Sequence, residues 1–288
     1  YDAKWQPGVL LASSGWPGCF PKHLLRAHQS SGPRSQAKVL AIMRQRIGKS
    51  MPVPARLQQL EGSALIVGQG GIGSAITELL QQDCPQLTVL PLGRRSEPRL
   101  DLCCDEDLEQ ISGWLQQQPP LRLVINTAGW LHDGQRGPEK RLSRVERAGL
   151  EQAFSINAYG AILLARAVES ALGHGQSAWF ASLSARVGSI GDNRLGGWYG
   201  YRAAKAAQNQ LLRTLAVGWQ RRLPSVCVTL LHPGTTATAL SEPFRRGVPP
   251  EKLFSAERAA GHLLDVLATQ GSDDSGRFLA WDGSTIPW

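Results

Sequence analysis

Tyr201 and Lys205 are separated by four residues in Tyr201-Arg-Ala-Ala-Lys205. Four residues is slightly more than one helical turn, so a helix here presents both side chains on one face. A phenol titrates near pH ~10 in water, too high for efficient proton transfer at neutral pH. An ammonium beside it favours the phenolate and draws its pKa toward working pH. Such a pair could serve as the acid/base element of a carbonyl–alcohol interconversion. The spacing occurs by chance in many helices, so its meaning depends on the elements that position it.

The first such element is Gly68-Gln-Gly70-Gly71-Ile72-Gly73, which follows the apolar run Ala64-Leu-Ile-Val67 and precedes a helical pattern over Ser74–Gln82. A G-x-G-x-x-G in that strand-to-helix context lets the backbone turn tightly and approach a pyrophosphate on the helix N-terminus. A second strand, Leu87–Leu90, leads to Leu92-Gly93-Arg94-Arg95, where a NAD site would usually present an acid to the ribose 2′-hydroxyl. No acid stands there. The guanidinium of Arg94 could instead pair with a 2′-phosphate, which points to NADP(H).

Strand-like and helix-like segments alternate from Ser63 onward. A short third strand is expected at Arg99–Leu102, with a helix near Asp105–Gln117. A fourth strand at Leu121–Ile125 ends in Asn126-Thr-Ala128-Gly129. One long helix is expected over about 144–172. A fifth strand spans Ser177–Ser182, a helix runs from Tyr201 to about Gln220, and a sixth strand covers Ser225–Leu231 before His232-Pro233-Gly234. A helix over Ser255–Thr269 and a strand at Arg277–Trp281 complete the order. Continuous apolar strands separated by helices predict a doubly wound, Rossmann-like parallel α/β sheet in a single domain over 61–288.

Residues 1–60 read differently. The net charge of +8 is concentrated there: residues 1–50 carry eight Lys/Arg and one acid, Asp2, whereas the remainder is almost balanced. The segment is basic and rich in Ser, Gly and Pro, and is expected to be a poorly structured extension. It reads as a targeting peptide, a disordered interaction arm, or sequence upstream of a start at Met51. A near-neutral folded part removes the main support for nucleic-acid binding. No apolar stretch reaches the ~18–20 residues of a membrane span. The five cysteines form no C-x-x-C and no zinc spacing, so no metal is expected, and reduced thiols suit a cytoplasmic protein.

With these motifs in order, the region from about Ser63 to Trp288 resembles the short-chain dehydrogenase/reductase family. The glycine turn, Asn126-Thr-Ala-Gly129, Asn157 in Ser-Ile-Asn157-Ala, Ser184, Tyr201-x-x-x-Lys205 and Pro233-Gly234-Thr235 carry the resemblance. The short glycine loop, Ser184-Ala-Arg-Val-Gly188-Ser-Ile-Gly and the terminal Trp281–Trp288 segment look like the C-factor-like carbonyl reductase branch.

The resemblance implies that Tyr201 gives a proton to a carbonyl oxygen as hydride arrives, or takes one in reverse, while Ser184 holds that oxygen. Lys205 would lower the phenol pKa and bind ribose hydroxyls, and Asn157 would hold a water linking Lys205 to solvent. Gly68, Gly70, Gly71, Ile72 and Gly73, then Arg94, Asp101, Asn126, Ala128, Gly129, Pro233, Gly234 and Thr235, would line the cofactor. Ser184 lies seventeen residues before Tyr201, longer than the family pattern, and Ser182 is a rival for its role. The implied function is NADPH-dependent reduction of a small aldehyde or ketone to an alcohol, by a homodimer or homotetramer. A dihydropteridine-reductase-like enzyme and a non-catalytic NADP-sensing protein are the alternatives. Substrate walls are expected from the segment after Thr238, with Phe244, Leu253 and Phe254 as an apolar lid, and from the loop around Trp198.

Overall fold

The structure is a computed structural model and describes residues 52–288. The readings of residues 1–51 lie outside the described part, as does Cys19. The segment 52–60, placed by the sequence in the extension, belongs to the folded domain. Helix α1 (Ala55–Gln58) is short, but Val53, Leu57 and Leu60 around it are buried in the core. The backbone N–H of Val53 donates to the Asp83 carboxylate at 2.7 Å. Three buried apolar side chains outweigh the polar composition of this stretch, so the boundary lies before residue 61.

The remaining order is β1 (Gly62–Val67), α2 (Gly71–Asp83), β2 (Leu87–Leu92), α3 (Asp105–Leu115), β3 (Leu121–Asn126), α4 (Arg147–Phe154) and α5 (Gly160–Val168). It continues with β4 (Ala178–Leu183), α6 (Tyr199–Arg222), β5 (Val226–His232), β6 (Thr235–Thr236), β7 (Leu253–Phe254), α7 (Ala256–Ala268) and β8 (Arg277–Ala280). Six strands form one parallel sheet in the order β2-β1-β3-β4-β5-β8, and β6 pairs with β7 separately. The apolar runs Ala64–Val67 and Val226–Leu231 are buried throughout because helices cover both faces. One face packs Leu108, Ile111, Leu164, Leu212 and Trp219 of α3, α5 and α6. The other packs Leu57, Ile76, Leu80, Leu263 and Leu267 of α1, α2 and α7. Pro91 is tolerated within β2 because that strand is the sheet edge.

Two expectations are corrected. Arg99–Leu102 is not a strand. Leu100 and Leu102 are buried, but the Leu100 N–H donates to the Gly93 carbonyl at 2.9 Å and the Asp101 N–H to the Asp107 carboxylate at 2.7 Å. Alternating apolar residues satisfied their burial without a ladder, since the segment's backbone bonds locally. The long helix over 144–172 is also interrupted. Between α4 and α5 lies a π-helical turn, Ser155–Tyr159, carrying Asn157.

The order reverses between β1, which pairs with both β2 and β3, and the strands beyond. Gly68 and Asn126 stand at the C-terminal ends of β1 and β3, at the crevice where doubly wound sheets bind ligands.

Candidate active site

Gly68 leaves β1 with φ of 92°, and a Cβ there would lie 2.9 Å from the Ala128 nitrogen and from Thr127 Oγ1. Thr127 closes this corner, its one hydroxyl proton shared between the carbonyls of Val67 and Gly68 at 2.9 and 2.8 Å. Gly73 is equally constrained: a Cβ would lie 1.9 Å from the Gly68 carbonyl oxygen. Gly70, the N-cap of α2, faces open space and supplies no side-chain cap, and no acid stands in the first helical turn. The first N–H groups of a 13-residue helix therefore stand at a glycine-rich turn that is open at Gly70. That arrangement fits the pyrophosphate of a dinucleotide.

Beside the cradle, Gln69 Nε2 donates to the Pro91 carbonyl at 2.7 Å, tying the turn to β2. Arg94 follows β2 and is exposed, next to Gly93, which lies against the Gln69 side chain. Asp101 is half-buried; its carboxylate accepts from the Cys103 N–H at 3.0 Å and pairs with Arg99 at 3.5 Å. On the crevice floor, Asn126 accepts from the Ala128 N–H at 3.1 Å and donates to Ser182 Oγ at 3.1 Å. Gly129 lies above Asn157 and Lys205: a Cβ on it would be 3.4 Å from Asn157 Oδ1 and 3.9 Å from Lys205 Nζ. Pro233-Gly234-Thr235 leaves β5 on the opposite wall, where Gly234 at φ 76° admits the Phe254 and Trp281 rings. Ile72 is half-buried behind the cradle and Thr235 is exposed. Among the described residues, no group of three His, Cys, Asp or Glu side chains is placed to hold a metal ion.

Tyr201 and Lys205 share one face of α6, with Lys205 Nζ 5.8 Å from the centre of the Tyr201 ring. Lys205 is buried and donates to the Leu183 carbonyl and to Gln208 Oε1, both at 2.9 Å. Burial pulls its pKa down to about 7 and pushes the Tyr201 phenol above its ordinary value. The sequence suggested that the ammonium would lower the phenol pKa. In the protein without ligands, desolvation outweighs that attraction for both groups.

Asn157 is fixed by the π turn. Its Nδ2 donates to the carbonyls of Trp130 and Ala153, each at 2.9 Å, and its Oδ1 accepts the Trp130 N–H at 3.0 Å.

Ser184 is only 4% exposed, and its hydroxyl donates to Asn209 Oδ1 at 2.6 Å. Its proton is thus directed into α6. Ser182 is fully buried and accepts from Asn126 and from Gln208 Nε2, at 3.1 and 2.8 Å, so it does not face the crevice. Gln208 and Asn209 were missed by sequence reading. They stand three and four residues after Lys205, and two amides at core positions of a helix were the available signal.

The mouth is aromatic. Trp198 holds a left-handed backbone, φ 53° and ψ 43°, immediately before α6. Its ring lies 6.3 Å from that of Tyr201 and 4.9 Å from that of Phe244. His132 approaches the carbonyls of Ala239 and Leu240 at 3.3 and 3.2 Å and meets the Phe244 ring edge at 6.0 Å, pinning that segment. Phe244 and Trp198 therefore come together as expected, but Phe254 does not join them. It is buried in β7 against Trp281, with ring centres 4.8 Å apart. Glu139 secures the start of α6, its carboxylate accepting the Gly200 N–H at 3.1 Å.

A family model described as "Enoyl-(Acyl carrier protein) reductase" matches residues 91–282. With the fold and crevice above, this places the chain in the short-chain dehydrogenase/reductase family. A 1-hydroxy-2-glutathionyl-2-methyl-3-butene dehydrogenase of Rhodococcus sp. (strain AD45) is 31% identical over 196 residues, 67% of this chain and 80% of that protein. The C-signal protein of Myxococcus xanthus is 31% identical over 169 residues, 59% of this chain and 93% of that protein. Among solved structures, the NADPH-bound carbonyl reductase from chicken fatty liver superposes with a TM-score of 0.65 at 22% identity, covering 80% of this chain and 100% of that chain. The carbonyl reductase Sniffer of D. melanogaster does so with a TM-score of 0.67 at 20% identity, covering 80% and 100%.

Proposed function

We propose that the chain is an NADPH-dependent reductase that converts an aldehyde or ketone to an alcohol, with Tyr201 as proton donor. The observation that carries this reading is the pairing of Tyr201 with Lys205 on α6, beside the glycine cradle of α2 and under the Trp198–Phe244 mouth. Gly68, Gly70, Gly71, Ile72 and Gly73 hold the pyrophosphate. Arg94 takes the 2′-phosphate and Asp101 borders the adenine. Asn126, Ala128 and Gly129 floor the crevice, and Pro233, Gly234 and Thr235 flank the nicotinamide. NADPH supplies a hydride when bound.

This chain's own groups handle the proton and the orientation. A phenol kept neutral by burial is a competent donor: its hydroxyl proton passes to the substrate oxygen as negative charge develops there. Lys205, held at two of its N–H groups, has one left for the phenolate that results or for a ribose hydroxyl. Asn157 fixes the Trp130 backbone beside Gly129 and Lys205, and so shapes the path by which Lys205 regains a proton. Ser184 acts through Asn209 in this reading, because its hydroxyl proton is already committed. The same residues serve alcohol oxidation, the direction named for the Rhodococcus relative. The C-factor-like branch is supported by the likeness to the C-signal protein. A homodimer or homotetramer in the cytoplasm is proposed, with an extension over residues 1–51 and the reductase domain after it; no described helix is long and apolar enough to cross a membrane.

The test is NADPH consumption by the purified chain against a panel of aldehydes, ketones, quinones and pterins, with product identified. Turnover of a carbonyl substrate that stops in Tyr201→Phe supports the proposal. NADPH binding without turnover of any panel member would favour a sensing role instead.

A further inference from the structure

Gln208 is 1% exposed on α6, one helical turn beyond Lys205. Its side-chain amide cannot be turned round. Nε2 donates to Ser182 Oγ at 2.8 Å and approaches the Leu183 carbonyl at 3.2 Å, so Oε1 must face Lys205 Nζ, which it accepts at 2.9 Å. Reversing the amide would set an NH₂ group against an amine donor and an oxygen against a carbonyl oxygen. Ser182 Oγ in turn accepts from Asn126 Nδ2 at 3.1 Å, and Asn126 Oδ1 accepts the Ala128 N–H at 3.1 Å. Two lines of donors thus converge on Ser182 Oγ in β4, one from the crevice floor through Asn126 and one from the lysine through Gln208.

We infer that Gln208 is a positioning residue that acts through Lys205, fixing where its nitrogen points and supplying the neutral acceptor that lets the amine be charged inside the protein. The inference rests on the reading of Lys205 as a working group of the site. Two of three ammonium protons are committed to Leu183 and Gln208, on the sheet side, which leaves one directed away from the core. Gln208 also contributes no charge of its own. Tyr201, on the same helix, is the ionisable group that faces Lys205. The neighbouring elements present Gly129 and Asn157 from the crevice, Leu183 from β4 and Gly188 from the following turn, all uncharged. With burial already pulling the amine down to about 7, a single acceptor can decide its state near neutrality.

The experiment is a pH titration of the Lys205 side chain by NMR in the full chain, with and without NADPH. The wild type is compared with Gln208→Leu and Gln208→Glu, and Lys205→Met assigns the signal. Removing the acceptor should move the Lys205 midpoint to lower pH, and the carboxylate should move it to higher pH, each by about one unit or more. The high-pH limb of kcat/KM should move in the same two directions. A merely structural role would lower the melting temperature of both variants without opposite movements of the midpoint. If Gln208→Leu does not fold, the isosteric Gln208→Glu decides alone, by an upward shift or none. Midpoints unchanged in the folded variants would overturn the inference. Absence of turnover in the wild type would count against the proposed reaction, while the NMR titration still judges Gln208.

Discussion

The Ser184 hydroxyl gives its proton to Asn209 Oδ1 across 2.6 Å, and both residues are buried. A hydroxyl has one proton, so Ser184 cannot donate to a substrate oxygen while this bond stands. Ser184→Ala should therefore lower kcat by less than tenfold, with part of the effect appearing as lost stability from an unpaired Asn209, about 1–3 kcal/mol. A loss of a hundredfold or more with the fold intact would show that the hydroxyl turns from Asn209 to hold the carbonyl.

Tyr201→Phe should remove turnover while leaving NADPH affinity nearly unchanged. The substitution keeps the ring that packs against Trp198 and deletes only the transferable proton. Positioned acid–base catalysis contributes roughly 10²–10⁴-fold, and kcat should fall by that order. Retention of a tenth of the wild-type rate would assign the proton to another donor.

Arg94→Ala should weaken NADPH about ten- to hundredfold and NADH little. Arg94 is exposed at the end of β2 beside the glycine turn, and hydrogen bonds to charged groups are worth about 1.5–3 kcal/mol. Titration of both cofactors against both proteins measures the ratio. Equal losses, or a wild type that prefers NADH, would remove Arg94 from the phosphate site.

Lys205 should leave a signature in stability. Its folded pKa is pulled down from 10.5 to about 7, so between those values the unfolded chain binds the extra proton and stability from this group rises with pH. Below about 7 both states are charged and the full cost of burying the ammonium is present. Urea unfolding of wild type and Lys205→Met without cofactor should show the variant's advantage greatest below pH 7. That advantage should shrink above it, with a slope approaching about 1.4 kcal/mol per pH unit. A difference independent of pH would mean that the lysine stays charged in the folded protein.

Leu57→Ala should destabilise the domain by about 2–5 kcal/mol, as for other fully buried leucines. The result tests whether residues 52–60 belong to the fold. A change under about 0.5 kcal/mol would return them to the extension.

The order of strands and helices, the glycine cradle and the Tyr201–Lys205 face were legible in the sequence because each rests on local chemistry. Apolar runs too short for helices mark buried strands, three glycines mark a backbone turn, and a four-residue spacing fixes a helical face. Local pattern failed where the competing partner was distant. Leu100 and Leu102 alternate like a strand, yet their segment bonds to Gly93 and Asp107 instead of a neighbouring strand. Val53, Leu57 and Leu60 sit in polar surroundings, and only the α2 and α7 faces show that they are core. The sequence favours Ser184 and leaves Ser182 as a rival. The register of β4 against α6 separates them, sending one to Gln208 and the other to Asn209. The tertiary structure alone decided which hydroxyls are committed and how far burial overrides the ammonium at Tyr201, because desolvation depends on everything packed around a group, not on its neighbours in the chain.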